Sequence, residues 1–173
     1  MGLSCRVGGA RVLFEGQVAN DVAGALGQAF GEGDWDAAEP RKFGELDESN
    51  WSNFRDRACE ELGFEEVPNL MALGTERRVV YLPANVQAMT MNLPSAAGRL
   101  LCASLPGLRR ELYSLAECWD LTLEDGLLEE ILQVAEDPDD GPVADAAEIL
   151  AFARLALAAN EAMRRDCPLW LVG

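Results

Sequence analysis

A long apolar segment at residues 142–165 constrains the fold of this chain more than any other feature. Its middle is apolar on nearly every side of a helix, so such a helix must be largely buried. Pro142 stands where a first helical residue belongs, Arg164 and Arg165 fall in the last turn, and Pro168 follows. We therefore predict a long buried helix over residues 142–165, at the centre of the fold.

The remaining periodicity predicts an α+β fold. A chain of 173 residues suits one domain with its own core, so we assign residues 1–173 to a single domain. Helical spacing of apolar residues predicts four further helices, at 18–30, 49–62, 104–119 and 122–135. Short β-rich runs predict strands at 3–7, 11–14, 78–82, 86–91, 99–103 and 168–172. We expect a mainly antiparallel sheet of about five or six strands, packed with about five helices.

The turns between these segments predict how the strands are joined. Gly8 and Gly9 separate the first two predicted strands, and both glycines can take positive φ, so an opening hairpin is expected. The connections among the three strands between residues 78 and 103 are short, which suits a meander.

Residues 32–46 have no periodicity and contain glycine, proline and mixed charge, which is typical of a surface loop. Two aromatic residues in this segment, Trp35 and Phe43, either anchor the loop to the core or form exposed contacts for a partner. Because tryptophan is highly buried on average, we favour anchoring.

The residue inventory removes several classes of chemistry. The chain contains no histidine, which excludes Ser-His-Asp and Cys-His catalysis and histidine-ligated zinc within it. The five cysteines are widely spaced and form no C-x-x-C motif, which is typical of reduced thiols in the cytoplasm. No phosphate-binding or nucleophile motif is found. We therefore expect no catalytic residues, no metal and no cofactor.

Charge is the first departure from an average composition. The chain has 30 acidic and 14 basic residues and a formal net charge of −16. Nucleic-acid binding requires clustered Lys and Arg, and anionic membrane surfaces repel an acidic protein, so both kinds of partner are disfavoured. The amino-terminal residues lack the apolar run of a signal peptide, and no segment is long and apolar enough to span a membrane. We expect a cytoplasmic protein.

All charged residues between positions 124 and 148 are acidic. On the predicted helix 122–135, Leu127, Ile131 and Val134 are expected to face inward and the acids outward. The run is either a solvated, helix-capping surface or an acidic ridge that binds a basic partner. As candidate partner-binding residues we select Glu129, Glu130, Glu136, Asp137, Asp139 and Asp140.

Two binding sites are weaker alternatives. The spacing of Asp137, Asp139, Asp145 and Glu148 partly matches a calcium-binding loop, but Pro142 replaces the turn glycine of that loop. The other alternative is an anion site formed by Arg109, Arg110 and the start of the helix that Ser104 caps.

The sequence thus predicts a non-enzymatic protein-binding module, of the inhibitor or immunity type known from bacteria, which neutralises a basic toxin, nuclease or nucleic-acid-binding protein. One alternative is a scaffold or adaptor subunit that joins an oligomer through an apolar surface around Trp35, Trp51 or Trp170. Another is a hydrolase that uses carboxylates alone or with a metal ion.

Overall fold

A computed structural model describes residues 2–36, 39–72, 78–93, 98–135 and 146–173. The described residues form one mixed six-stranded sheet in the order β2-β1-β6-β3-β5-β4. Its strands are β1 (Gly2–Val7), β2 (Arg41–Asp47), β3 (Arg78–Leu82), β4 (Met89–Asn92), β5 (Arg99–Ser104) and β6 (Leu169–Val172). The β3–β5 pair is parallel and the other pairs are antiparallel.

Six helices occur in the described part of the chain. They are α1 (Gly16–Phe30), α2 (Glu48–Leu62), α3 (Pro68–Met71), α4 (Leu105–Cys118), α5 (Asp125–Ala135) and α6 (Ala146–Arg164). Two of them begin at a capping side chain: at α2 the Asp47 carboxylate accepts from the backbone N–H of Ser49 at 2.9 Å, and at α4 the Ser104 hydroxyl accepts from that of Gly107 at 2.9 Å. The prediction of a single α+β domain with a mainly antiparallel sheet is confirmed.

The central strands of the sheet are buried on both faces, whereas the edge strands β2 and β4 are largely exposed. On β6, Leu169 and Leu171 belong to the core under α2, α4 and α6, while Trp170 points into a second core formed with α1. β3 alternates in the same way between Val79 and Val80. Strands covered on both faces become almost uniformly apolar, which explains the sequences of β3 and β6.

The predicted central helix is confirmed from Ala146 to Arg164, and the predicted start at 142–145 lies outside the described residues. α6 packs against α2, α4, α5 and the first two strands. Phe152 is fully buried, with its ring centroid 6.5 Å from that of Phe54 on α2 and 5.6 Å from that of Trp119. Aromatic packing of this kind holds the helical layer together.

The predicted opening hairpin is wrong. Residues Ala10–Val12 form a 3-10 turn, and β1 pairs with β6 and with β2, most of which lies in the segment that was predicted to be a loop. The register of β1 against β2 shifts between Ser4 and Arg6, and Gly44 opposite this shift has a φ of 94°. A β-bulge therefore interrupts the alternation that marks a strand. The Arg154 guanidinium of α6 lies on Gly44 and donates to the carbonyl of Glu45.

The predicted meander is also wrong, although its three strands exist. β5 lies between β3 and β4, so β3 pairs with β5 in parallel and β4 forms the sheet edge.

Trp35 of the 32–46 segment anchors to the core instead of being exposed to a partner. It is buried against α1 and donates its indole N–H to the carbonyl of Gly31 at 2.9 Å. Anchoring is therefore confirmed for that side chain. Within the described ranges, no helix is long and apolar enough to cross a membrane.

Candidate partner-binding surface

Helix α5 carries the described part of the acidic run, and its orientation differs from the prediction. Leu128 is fully buried, whereas Leu127 is 46% exposed and Val134 is 56% exposed. Ile131 is partly buried against the core, as expected. The predicted inward face is therefore wrong at Leu127 and Val134 and correct at Ile131.

The outer surface of α5 combines apolar and acidic groups. Leu127 and Val134 lie two helical turns apart, about 10 Å along the axis, and so share one side of the helix. Glu130 is exposed on this side between them, three residues after Leu127 and four before Val134, whereas Glu129 is exposed on the opposite side of the helix. Neither glutamate forms an ion pair with another described residue. We call Leu127, Glu130 and Val134 the α5 face.

The start of α5 is fixed to α6 by polar contacts. The Asn160 side chain donates to the Leu123 carbonyl at 2.7 Å and to the Asp125 carboxylate at 2.8 Å. The other oxygen of that carboxylate is ion-paired with Arg164. Two hydrogen bonds and an ion pair therefore set the direction in which the α5 face points, and Asp125 is engaged within the fold rather than offered to a partner.

The other predicted binding residues lie beyond the described part of the chain. These are Glu136, Asp137, Asp139 and Asp140. Three of the four positions of the calcium-loop alternative, Asp137, Asp139 and Asp145, also fall outside it. The fourth, Glu148, has a carboxylate oxygen 3.9 Å from an Arg57 guanidinium nitrogen of α2. Among the residues described, no group of three or more Asp, Glu or Cys side chains is arranged to hold a metal ion.

The tryptophans of the scaffold alternative are buried. Trp35 is 7% exposed, Trp51 is 3% exposed and Trp170 is fully buried. Trp170 donates its indole N–H to the Gly8 carbonyl at 2.9 Å and lies edge to face on Phe14, with ring centroids 6.1 Å apart. These three side chains stabilise the cores, so an apolar oligomer surface around them is contradicted.

The start of α4, the anion-site alternative, has two of its backbone donors engaged within the protein. The Ser104 hydroxyl caps the helix through the Gly107 N–H, and the Asn69 side chain accepts from the Ser104 N–H at 3.0 Å. These two donors are not offered to an anion. Arg109 and Arg110, one turn further along, are exposed and line a groove between α4 and the start of α5. Sequence reasoning missed this groove because it depends on how α4, α5 and α6 pack.

Most cysteines are in apolar surroundings. Burial raises the pKa of the Cys5 thiol to about 12, against a smaller opposing effect of the Arg154 charge, and it raises the pKa of Cys102 to about 12. Cys167 is also buried, while Cys118 is exposed. Thiols with raised pKa values are poor nucleophiles at neutral pH because the reactive form is the thiolate.

Comparison of the chain with family models, curated proteins and solved structures gives no match.

Proposed function

We propose that this protein is a non-enzymatic, cytoplasmic binding module that neutralises a basic protein partner through the α5 face. The observation that carries the proposal is the exposure of Leu127 and Val134 beside Glu130 on one side of α5, where Glu130 has no ion-pair partner among the described residues. Partner surfaces of proteins combine an apolar centre with a polar rim, and the α5 face has both components.

The overall charge supports the choice of a basic partner. A net charge of −16 creates a negative potential around the protein that attracts cationic proteins and raises their association rate. Glu130 then favours lysine or arginine at the contact, while the two apolar side chains lose their exposure to water. The inhibitor or immunity class fits this scheme because its members act by covering a surface and carry out no reaction.

The proposal is tested by charge reversal on the α5 face. The test variant is Glu130→Lys, and the control is Glu60→Lys, which reverses one exposed glutamate on α2. Each variant and the unaltered protein are immobilised, exposed to host-cell lysate at low ionic strength and eluted with a salt gradient. We expect a basic protein that is retained by the unaltered protein and by the α2 variant but not by the α5 variant.

The apolar half of the α5 face has its own variant, Leu127→Asn/Val134→Asn, which leaves the net charge at −16 and removes the apolar contacts. Elution of the same captured protein at lower salt is expected, since the remaining attraction is electrostatic and is screened within about 10 Å at 0.1 M salt. Equal loss of the captured protein in the α2 and α5 variants would mean that attraction is not localised, and the proposal would fail. Retention by all variants would also contradict it.

A further inference from the structure

An open groove of about 840 Å³ lies between α4 and the segment that leads into α5. Its apolar surface is formed by Pro106, Leu123 and Met163, and Arg109 and Arg110 project at its side. A smaller recess of about 430 Å³ adjoins it and shares Arg109, Leu123 and Met163. Both volumes lie within the range that small-molecule sites occupy, and an apolar lining with a few charged groups is typical of such sites.

Arg109 is held in position by the contacts that attach α5 to α6. Its Nε–H donates to the Asn160 side-chain oxygen at 3.2 Å, and the amide nitrogen of Asn160 is itself held by Leu123 and Asp125. The Nη1 and Nη2 groups of Arg109 form no hydrogen bond with another described residue. A guanidinium fixed through Nε presents these two nitrogens as a planar fork, which matches the two oxygens of a carboxylate.

Arg110 and Tyr113 complete the groove. Arg110 is exposed and forms no hydrogen bond or ion pair with another described residue, so its donors are available to a ligand. Tyr113 is 57% exposed, and its ring lines the groove one helical turn beyond Arg109. An exposed ring beside an apolar surface offers a flat face on which another ring can stack.

The charge of the lining selects a monoanion. Two guanidinium groups and the single carboxylate of Glu124 leave the lining with one net positive charge, on a protein whose net charge is −16. A ligand with one negative charge is matched by this lining, whereas the surrounding negative potential opposes an ion of higher charge. We infer that the groove binds a small amphipathic carboxylate, with its carboxylate on Arg109 and Arg110 and its apolar body against Leu123, Met163 and Tyr113.

Naphthalene-1-carboxylate is a suitable probe, and naphthalene-1-carboxamide is its neutral analogue. Isothermal titration at low ionic strength should show one binding site for the carboxylate and at least about tenfold weaker binding of the amide, because hydrogen bonds to charged groups are the stronger ones. Arg110→Met should weaken carboxylate binding by a similar factor. The matched control is Arg99→Met, which removes one exposed arginine at the start of β5, outside the groove.

Mapping of amide chemical shifts in the unaltered protein keeps the test independent of how the variants fold. The carboxylate should shift the amide signals of Leu123 and Met163 while leaving those of the opposite core, such as Val22, unchanged. Equal affinity for the amide, unchanged affinity of Arg110→Met, shifts outside the groove or no binding of the carboxylate would each overturn the inference. None of these results bears on the α5 face, because none of its residues is altered.

Discussion

Glu111 of α4 is buried, with only 6% of its surface exposed, and it caps a neighbouring helix. Its carboxylate accepts from the backbone N–H of Asn69 at 2.9 Å, from the Asn69 side chain at 2.6 Å and from the backbone N–H of Leu70 at 2.8 Å. The N-cap residue of α3, Val67, has no side chain able to accept these bonds. Glu111 supplies the missing acceptors from a distant part of the chain.

Replacement of this carboxylate should therefore destabilise the protein. Glu111→Ala leaves two backbone N–H groups of α3 without an acceptor, and each such buried group costs about 1–3 kcal/mol. We expect a loss of about 3 kcal/mol in the free energy of unfolding, measured by urea denaturation. Glu117→Ala, at an exposed position on the same helix, should change it by less than about 0.5 kcal/mol. Similar effects of the two substitutions would contradict the capping role.

The same carboxylate predicts a pH dependence. Burial raises the pKa of Glu111 above its ordinary value of 4.5, and this outweighs the hydrogen bonds from Asn69 and Leu70, which lower it. The folded state therefore favours the protonated carboxyl group of Glu111. This preference adds to the free energy of unfolding below pH 4.5, and the added stability is lost as the pH rises through the raised pKa. The stability difference between the unaltered protein and Glu111→Ala should shrink over that window. A difference that grows with pH would refute the assignment.

Among the elements, α5 gives the clearest test of orientation. Leu128 is fully buried and Leu127 is about half exposed. Leu128→Ala should cost about 2–5 kcal/mol in thermal or urea unfolding because it leaves a cavity. Leu127→Ala, which removes the same atoms one position earlier, should cost less than about 1 kcal/mol. If the two costs were reversed, the sequence-based orientation would be correct and the α5 face would not exist.

The elements that sequence reasoning predicted are those with one strong periodic pattern. α1, α2, α4 and α6 each have an uninterrupted apolar stripe or a complete set of end signals, and all four are confirmed. α5 has adjacent leucines at 127 and 128, so two orientations satisfy the helical period, and only the contact with α6 decides between them.

β2 was missed for a different reason. Its bulge at Gly44 breaks the alternation, and its charged side chains are those of an edge strand. The order of β3, β4 and β5 in the sheet could not be predicted from the sequence either, because the lengths of the turns do not determine which two strands pair. The sequence showed the acidic and apolar residues of the candidate site, but it did not predict that Leu127 and Val134 are both exposed to solvent.

For the whole molecule, the net charge should determine how the melting temperature changes with salt concentration. A net charge of −16 causes self-repulsion in the compact state, while the described surface ion pairs are worth little each. Added sodium chloride screens the repulsion, so the melting temperature should rise with salt. Glu60→Lys/Glu61→Lys changes the net charge from −16 to −12, since each substitution adds two charges, and should give a shallower rise. A melting temperature that falls with salt would contradict this account.

Among the described strands, β6 is the last in chain order, and it lies in the interior of the sheet, between β1 and β3. Without it, β1 with β2 and β3 with β5 and β4 are two separate ribbons that share no strand pairing. Residues 169–172 must therefore be in place before the two ribbons can be joined. Until β6 is inserted, β1 and β3 each expose an unpaired strand edge, and such edges are the feature that chaperones must protect from aggregation.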